Sequence, residues 1–488
     1  MKMLYRYFLV PSLALLLFAG CDVFQTLEQQ PDNTLSQNQV FSDANGVRNV
    51  LRGLYNDLQG PATDYFIYAA LASDQAVHTG SFPSWQDIDN HQVSPGNGSI
   101  EDPWVDTYNL INTANVLIAR AKASDFENMS EEEAADIRAQ ARAIRAYGYH
   151  TLVQWYGGHD GLDQMGVPVI TKPTSSVDDV QFPSRSTVGE VYNQIISDLK
   201  AAESAVNNGS AIGDNPAGDG FVDKNVVRGL LARAHLFRAS IKRRAGGSPT
   251  SDYQAAADKA QQVIQSGQTQ LSTLDAVYNG LNSSESIWEL QFSSQDGNAM
   301  SFFARPNGAG GRFEYGLDGR FVSALDSLDD RRDVNIKSAG GQQFIGKYYR
   351  LDGSDHLFIL RLPEMKLIRA EAMMEMNFST NKQQAIEQVN DIRRRAYNEV
   401  NEGNPEPDFQ EAGAEIDPND VTSKQELRDI IRAERRRELA FEGNRWHDLN
   451  RLGVTGQFVN LPSETDRRWP VPQSELDVND NLNQNPGY

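Results

Sequence analysis

Cysteine is almost absent from this 488-residue chain: there is one, Cys21. A disulfide framework within the chain is therefore excluded, as is any cysteine-rich metal site. Histidine is also sparse, with seven residues scattered without metal-ligand spacing. Basic charge is in deficit. Lys and Arg total 45 against 66 Asp and Glu, giving a formal net charge of −21. Such a field repels polyanions, which argues against nucleic acid as a partner. After residue 20 no apolar run is long enough to span a bilayer, which takes roughly twenty residues. Catalytic signatures are missing too: the sequence has no GxSxG elbow, HExxH, Walker loop or dinucleotide-binding glycine fingerprint. His447 and Asp448 are neighbours, but on a helix adjacent side chains point apart, so they do not read as a catalytic dyad. No metal site and no cofactor are expected. The one calcium candidate, Asp214, Asp219 and Asp223 in a glycine-rich loop, departs from the EF-hand pattern and reads as a solvated turn.

The first twenty residues read as an address. Lys2 and Arg6 precede an apolar stretch from Phe8 to Phe18, too short to span a membrane and the right length for a signal-peptide core. Phe18-Ala19-Gly20-Cys21 then resembles a bacterial lipobox, in which the signal is cut before a cysteine that becomes lipidated. Residues 1–20 are thus expected to be a signal peptide and Cys21 a lipidation site. More than one acyl chain is needed for a stable anchor.

Beyond the anchor the chain reads as amphipathic helices. Ser130 to Glu133, Thr380 to Gln383 and Ser423 to Glu426 have the spacing of capping boxes. Ile137, Ala141, Ile144, Gly148 and Leu152 form one stripe, and Ala385, Val389, Ile392 and Ala396 form another. Further helices are expected near 43–59, 104–122, 187–206, 224–242, 252–266 and 363–377. Ala143, Ala146, Ala232 and Ala234 allow helices to approach closely, as in tetratricopeptide-type pairs. The fold class is mostly α, an irregular array of tetratricopeptide-like pairs with long loop-rich insertions. Residues 60–103 and 268–358 lack helical periodicity and are rich in aromatics, apart from a probable strand at Ser286 to Leu290. Long insertions of this kind are commonly functional. Glu434, Glu438 and Glu442, interleaved with Arg435 to Arg437, read as a salt-bridge-laced helix.

Several segments together resemble the SusD/RagB family of Bacteroidota outer-membrane lipoproteins. The strongest runs from Leu427 through Glu434-Arg435-Arg436-Arg437-Glu438-Leu439-Ala440-Phe441-Glu442-Gly443 to Arg445-Trp446, Asp448-Leu449 and Arg451. Upstream lie Leu360 to Ala372 and Val389-Asn390 with Ile392, Arg393, Arg395 and Ala396. Trp469-Pro470-Val471-Pro472 and Gln484-Asn485-Pro486-Gly487-Tyr488 match the family's end. Nearer the start, Trp104, Tyr108, Asn112 and Asn115, then Arg145-Ala146-Tyr147, Trp155-Tyr156-Gly157 and Pro183 to Thr187, fit as well. The resemblance implies one SusD-like substrate-binding domain over 21–488, with an N-terminal part to about 330 and a signature part from about 331. It implies a non-enzymatic protein, lipid-anchored in the outer membrane and facing outward. Such a protein captures a glycan or peptide and passes it to a SusC-like TonB-dependent β-barrel.

Family ligand contacts lie in variable loops, so the contact residues are read from chemistry. An aromatic ring buries the C–H face of a sugar while amides and carboxylates take its hydroxyls. Trp85, Phe302, Phe303, Phe313 and Tyr315 are the expected stacking residues, with Asp74 and Gln86 for hydrogen bonds. Trp104, Trp155, Trp288 and Trp446 sit in helix or strand motifs and are expected in the core. A surface glycoside hydrolase would instead need two carboxylates facing across a cleft. A helical scaffold that binds only proteins would need a concave protein-binding face.

Overall fold

The computed structural model describes residues 37–207, 220–280, 283–397, 409 and 413–488. The expected signal segment, Cys21, Asp214 and Asp219 lie outside these residues. The architecture is a succession of helices, each packed on the next. Helix α1 (Ala44–Leu71) is followed by strand β1 (Ala76–His78), α2 (Pro83–Asp89), α3 (Gly98–Arg120), α4 (Glu131–Tyr156), α5 (Val188–Ala205), α6 (Lys224–Arg244) and α7 (Thr250–Ile264). After β2 (Ser286–Leu290), β3 (Tyr315–Leu317), β4 (Ile336–Ala339), β5 (Gln342–Ile345) and β6 (Leu357–Arg361) come α8 (Leu362–Met376), α9 (Phe378–Ala396), α10 (Lys424–Glu438) and α11 (Arg445–Leu452). Helix α1 packs on α3, and from there each helix packs on its successor through to α9, with α10 also laid on α8. The strands pair antiparallel as β1 with β3, β2 with β6 and β4 with β5.

The small residues do what their size allows. Gly148 on α4 faces Ile111 and Thr107 of α3 so closely that an added Cβ would sit 3.3 Å from both. Ala143, Ala146, Ala232 and Ala234 are all buried, as are both expected stripes. Trp104, Trp155, Trp288 and Trp446 are core residues, none more than 1% exposed. Apolar contact runs as one cluster from Phe41 to Leu482, with a smaller one around Leu367, Met374, Val389 and Ile431.

Some expectations are corrected. Residues 60–71 belong to α1, which continues through Pro61. Tyr65, Phe66, Ile67, Tyr68 and Leu71 are all buried, so this stretch is enclosed on nearly every side and shows no amphipathic period. Helix α3 starts at Gly98, ahead of the expected residue 104, because the Asn97 side chain accepts from the Ser99 amide. Helix α9 starts at Phe378 behind an Asn377 cap, which puts Thr380 inside the helix. Ser130 and Ser423 do cap, but Glu133 is drawn to Arg48 at 2.5 Å and Glu426 to the Thr422 amide at 2.9 Å. Reciprocal boxes form at Thr187 with Glu190 and at Ser463 with Asp466 instead.

The Glu–Arg run also behaves differently. Helix α10 ends at Glu438, and its glutamates reach far across the chain. Glu438 meets Arg395 at 2.6 Å, Arg361 at 3.0 Å and Arg331 at 3.2 Å. Arg361 continues to Glu285 at 3.1 Å and Glu442 at 2.7 Å, and Lys347 joins Glu442 at 2.7 Å. Arg331 also holds Glu434 at 2.5 Å and Asp329 at 2.7 Å. Every other member is buried, and the Arg395 side chain is only 8% exposed. Helix periodicity places Glu434 and Glu438 on one face; burial makes that face seek distant cations. Removing one partner of such a network leaves a buried charge without compensation and costs about 3–5 kcal/mol. Arg361→Met is therefore expected to lower unfolding free energy by that amount, read by urea denaturation at neutral pH.

Burial also fixes several histidines neutral. Desolvation lowers His91 to about 4, and His159 and His447 to about 3. The unfolded chain takes up these protons near pH 6.5, before the folded chain does. Their contribution to stability is thus whole above pH 6.5 and lost as pH falls, by about 2 kcal/mol per histidine at pH 5. His91, with φ of +52°, lies flat on Trp446 at 5.2 Å. His91→Asn tolerates that backbone and is expected to remove its share of the loss between pH 7 and pH 5 in denaturation curves.

Candidate ligand-binding face

The two aromatic insertions meet. Strand β1 from the first pairs with β3 from the second, setting Ala76 opposite Leu317 and His78 opposite Tyr315. Glu314 locks the joint. Its carboxylate accepts from the Ser81 amide at 2.6 Å, the Phe82 amide at 3.1 Å and Arg312 Nε at 2.6 Å. Burial pushes this carboxyl up, but the Ser81 amide and the Arg312 guanidinium outweigh it and hold it below the usual glutamate value. Gly80 makes the approach possible: a Cβ there would lie 2.0 Å from Glu314 Oε2. Thr79 closes the seam, donating its hydroxyl to the Phe313 carbonyl at 2.7 Å and its amide to the Glu314 carbonyl at 3.0 Å.

On this joint sits an edge-to-face aromatic stack. Trp85 contacts Phe303 at 5.1 Å, Phe82 at 5.2 Å and Tyr315 at 6.1 Å between ring centres. Phe302 contacts Phe303 at 5.4 Å, and the Arg312 guanidinium lies 4.2 Å over the Phe82 ring. Phe302 is the outermost, 45% exposed; Phe82, Phe303 and Phe313 are half-buried, and Gln86 is exposed on α2. Phe313 has φ of +52°, a costly conformation for a bulky side chain, held by its amide's bond to the Arg305 carbonyl. Strain of this kind gathers at functional loops.

Not every expected contact residue reaches the surface. Trp85 is 5% and Tyr315 1% exposed, so they underlie the face and do not form it. Asp74 is corrected outright. Its carboxylate is buried, held by Arg445 at 2.7 and 3.0 Å and by Arg436 at 2.8 Å. Burial raises its pKa, yet the two guanidiniums outweigh this and keep it below the ordinary aspartate value. Buried and held by two guanidiniums, it is out of a surface ligand's reach. Of the expected residues, Gln86 and Phe302 are exposed and Phe303 and Phe313 half-buried, and the structure adds the half-buried Phe82 and the exposed Arg312. Phe82 stood in the aromatic-rich insertion. Nothing in the sequence distinguished Arg312, because its role depends on a ring from a segment more than two hundred residues away.

Among the described residues no group of three or more His, Cys, Asp and Glu is placed to hold a metal. Asp223 caps α6, accepting from the Val226 amide. His447 packs edge-on against Trp155 at 4.7 Å, while Asp448 binds Arg435 and Arg451 at 2.7 and 2.8 Å, so the adjacent pair forms no dyad. No helix of the described residues is long and apolar enough to cross a membrane.

Fold and face together define a helical-pair scaffold that displays aromatic loops. Residues 25–214 match a family model described as starch-binding and associating with the outer membrane, and residues 344–488 match the SusD family model. The chain belongs to the SusD/RagB family. SusD-like protein P2 of Formosa agariphila is 26% identical, covering 99% of this chain and 100% of that one. A SusD superfamily structure from Bacteroides thetaiotaomicron superposes with a TM-score of 0.73 at 22% identity, covering 91% of this chain and 100% of that one. A structure described as a laminarin-binding SusD-like protein gives 0.73 at 21% identity, over 91% of this chain and 100% of its own. B. fragilis NanU gives 0.73 at 20% identity, over 94% and 99%.

Proposed function

We propose that residues 21–488 form one substrate-binding unit, tethered through Cys21 to the outer face of the outer membrane. It binds a glycan, or in a second ligand class a peptide, and delivers it to a SusC-like TonB-dependent β-barrel without chemical change. The observation that carries this reading is the half-exposed Phe82, Phe302, Phe303 and Phe313 face, built where two insertions cross. Ring faces take the apolar side of a sugar, and Gln86 and Arg312 beside them supply donors for its hydroxyls. Membership of a family whose matched model is described as starch-binding supports the ligand class, and so does the laminarin-binding neighbour. The net charge of −21 favours neutral over anionic glycans.

The test is calorimetric titration of the mature chain with neutral oligosaccharides, laminari-oligosaccharides among them, and with peptides. Phe302→Ala combined with Phe303→Ala is expected to weaken binding of the glycan that titrates by about tenfold or more, the scale of two lost aromatic contacts. Unchanged affinity would move the site elsewhere. Mild-detergent pull-down after crosslinking is expected to recover a large TonB-dependent barrel; a stand-alone binder would bring none.

A further inference from the structure

A second recess lies away from the aromatic face. Its volume is about 260 Å³, and its walls come from three separate segments: the turn carrying Asp275, Tyr278 and Asn279, the turn carrying Asp333 and Lys337, and the loop carrying Tyr349. The walls are held in place. Tyr349 donates its hydroxyl to Asn279 Oδ1 at 3.0 Å, and Arg350 donates to the Asn279 carbonyl at 2.6 Å. Lys337 lies against Gly346, where a Cβ would come 2.5 Å from its Cγ, so the close pass of stem and loop needs glycine. Arg305, two residues after Phe303, donates to the Tyr349 carbonyl and ties this recess to the aromatic loop.

Three polar groups at this recess are left over. Tyr278 is 7% exposed, packed beneath by Lys347 at 4.9 Å and Arg361 at 5.6 Å, yet its hydroxyl has no hydrogen-bond partner among the described residues. Lys337 sits 4.8 Å over the Tyr349 ring and forms no ion pair among the described residues. The Asp333 side chain is exposed and likewise unpaired among them. The Tyr278 hydroxyl opens onto the recess, free to meet whatever occupies it.

We infer that this recess is a second ligand site, taking one neutral pyranose unit of a glycan. The chemistry selects the class. Asp275, Asp330 and Asp333 against the single Lys337 disfavour an anion. A carboxylate, an ammonium and a phenol at neighbouring positions match a partner that both donates and accepts, as the vicinal hydroxyls of a sugar do. A volume of about 260 Å³ suits one ring and is small for a folded peptide segment. The inference shares its ligand class with the proposed function but stands on different residues.

The test soaks crystals of the mature chain in methyl β-D-glucopyranoside and follows the same probe in solution by saturation-transfer NMR. Density for a pyranose ring is expected in the recess, within hydrogen-bond reach of Asp333, Lys337 and Tyr278. Asp333→Asn with Lys337→Met is expected to weaken binding there roughly tenfold, the scale of lost charge-assisted hydrogen bonds. Tyr278→Phe keeps the ring packing and is expected to weaken it less. Phe302→Ala with Phe303→Ala should leave occupancy of the recess unchanged, which separates failure of this site from failure of the aromatic face. An empty recess in the wild-type soak, or full occupancy in the Asp333→Asn, Lys337→Met chain, would overturn the inference.

Discussion

Glu438 sits at the meeting point of three guanidiniums, and much of the architecture answers to that arrangement. Arg331 lies within the second insertion, Arg361 ends β6, Arg395 lies in the last turn of α9, and the acceptor itself ends α10. A buried carboxylate is tolerable only when its charge is balanced, so each arginine must arrive for the others to be stable where they are. Burial alone would raise the carboxyl's pKa; Arg395, Arg361 and Arg331 outweigh it and drive it far below the usual glutamate value. Glu285, with two guanidiniums but the Glu438 charge close by, is pushed upward by its burial. The network carries different protonation tendencies within a few ångströms because positive charge is unevenly shared.

The same network links stability to the surface. Lys347 and Arg361 lie under the Tyr278 ring, so the floor of the second recess rests on the buried ions. The aromatic face has its own, smaller anchor in Glu314, which fastens one insertion to the other through backbone amides. There a buried carboxylate holds loop backbone that has no helix or sheet ladder to satisfy it. The insertions can then carry exposed rings without loosening the helices beneath.

Much of the helical array could be read from residue spacing. The stripe from Ala385 to Ala396 lies on a helix whose other face carries exposed residues, while the one from Ile137 to Leu152 was legible as a spacing of apolar residues although its helix is enclosed nearly all round. Residues 60–71 escaped because Pro61 and a run of buried aromatics give no spacing that marks one face. Caps were legible as residue types but not as pairings: Glu133 and Glu426 had the right spacing for boxes, and each found a better partner. The candidate face was legible as composition. Which rings would surface was not, because Phe302 and Tyr315 look alike in sequence, and only the crossing of β1 and β3 buries one and leaves the other in solvent.

By itself, then, the sequence determined what depends on local order: the helical periods, the glycines and alanines that let helices meet, the family signature and the negative field. The tertiary structure alone decided what depends on long-range pairing. It sent the glutamates of α10 to Arg331, Arg361 and Arg395, turned Asp74 into an internal ion pair, and set Arg312 over Phe82. The reason is physical. Period and propensity act over a few residues, whereas the cost of a buried charge or an unpartnered hydroxyl is settled by whichever group folding brings within about 3 Å.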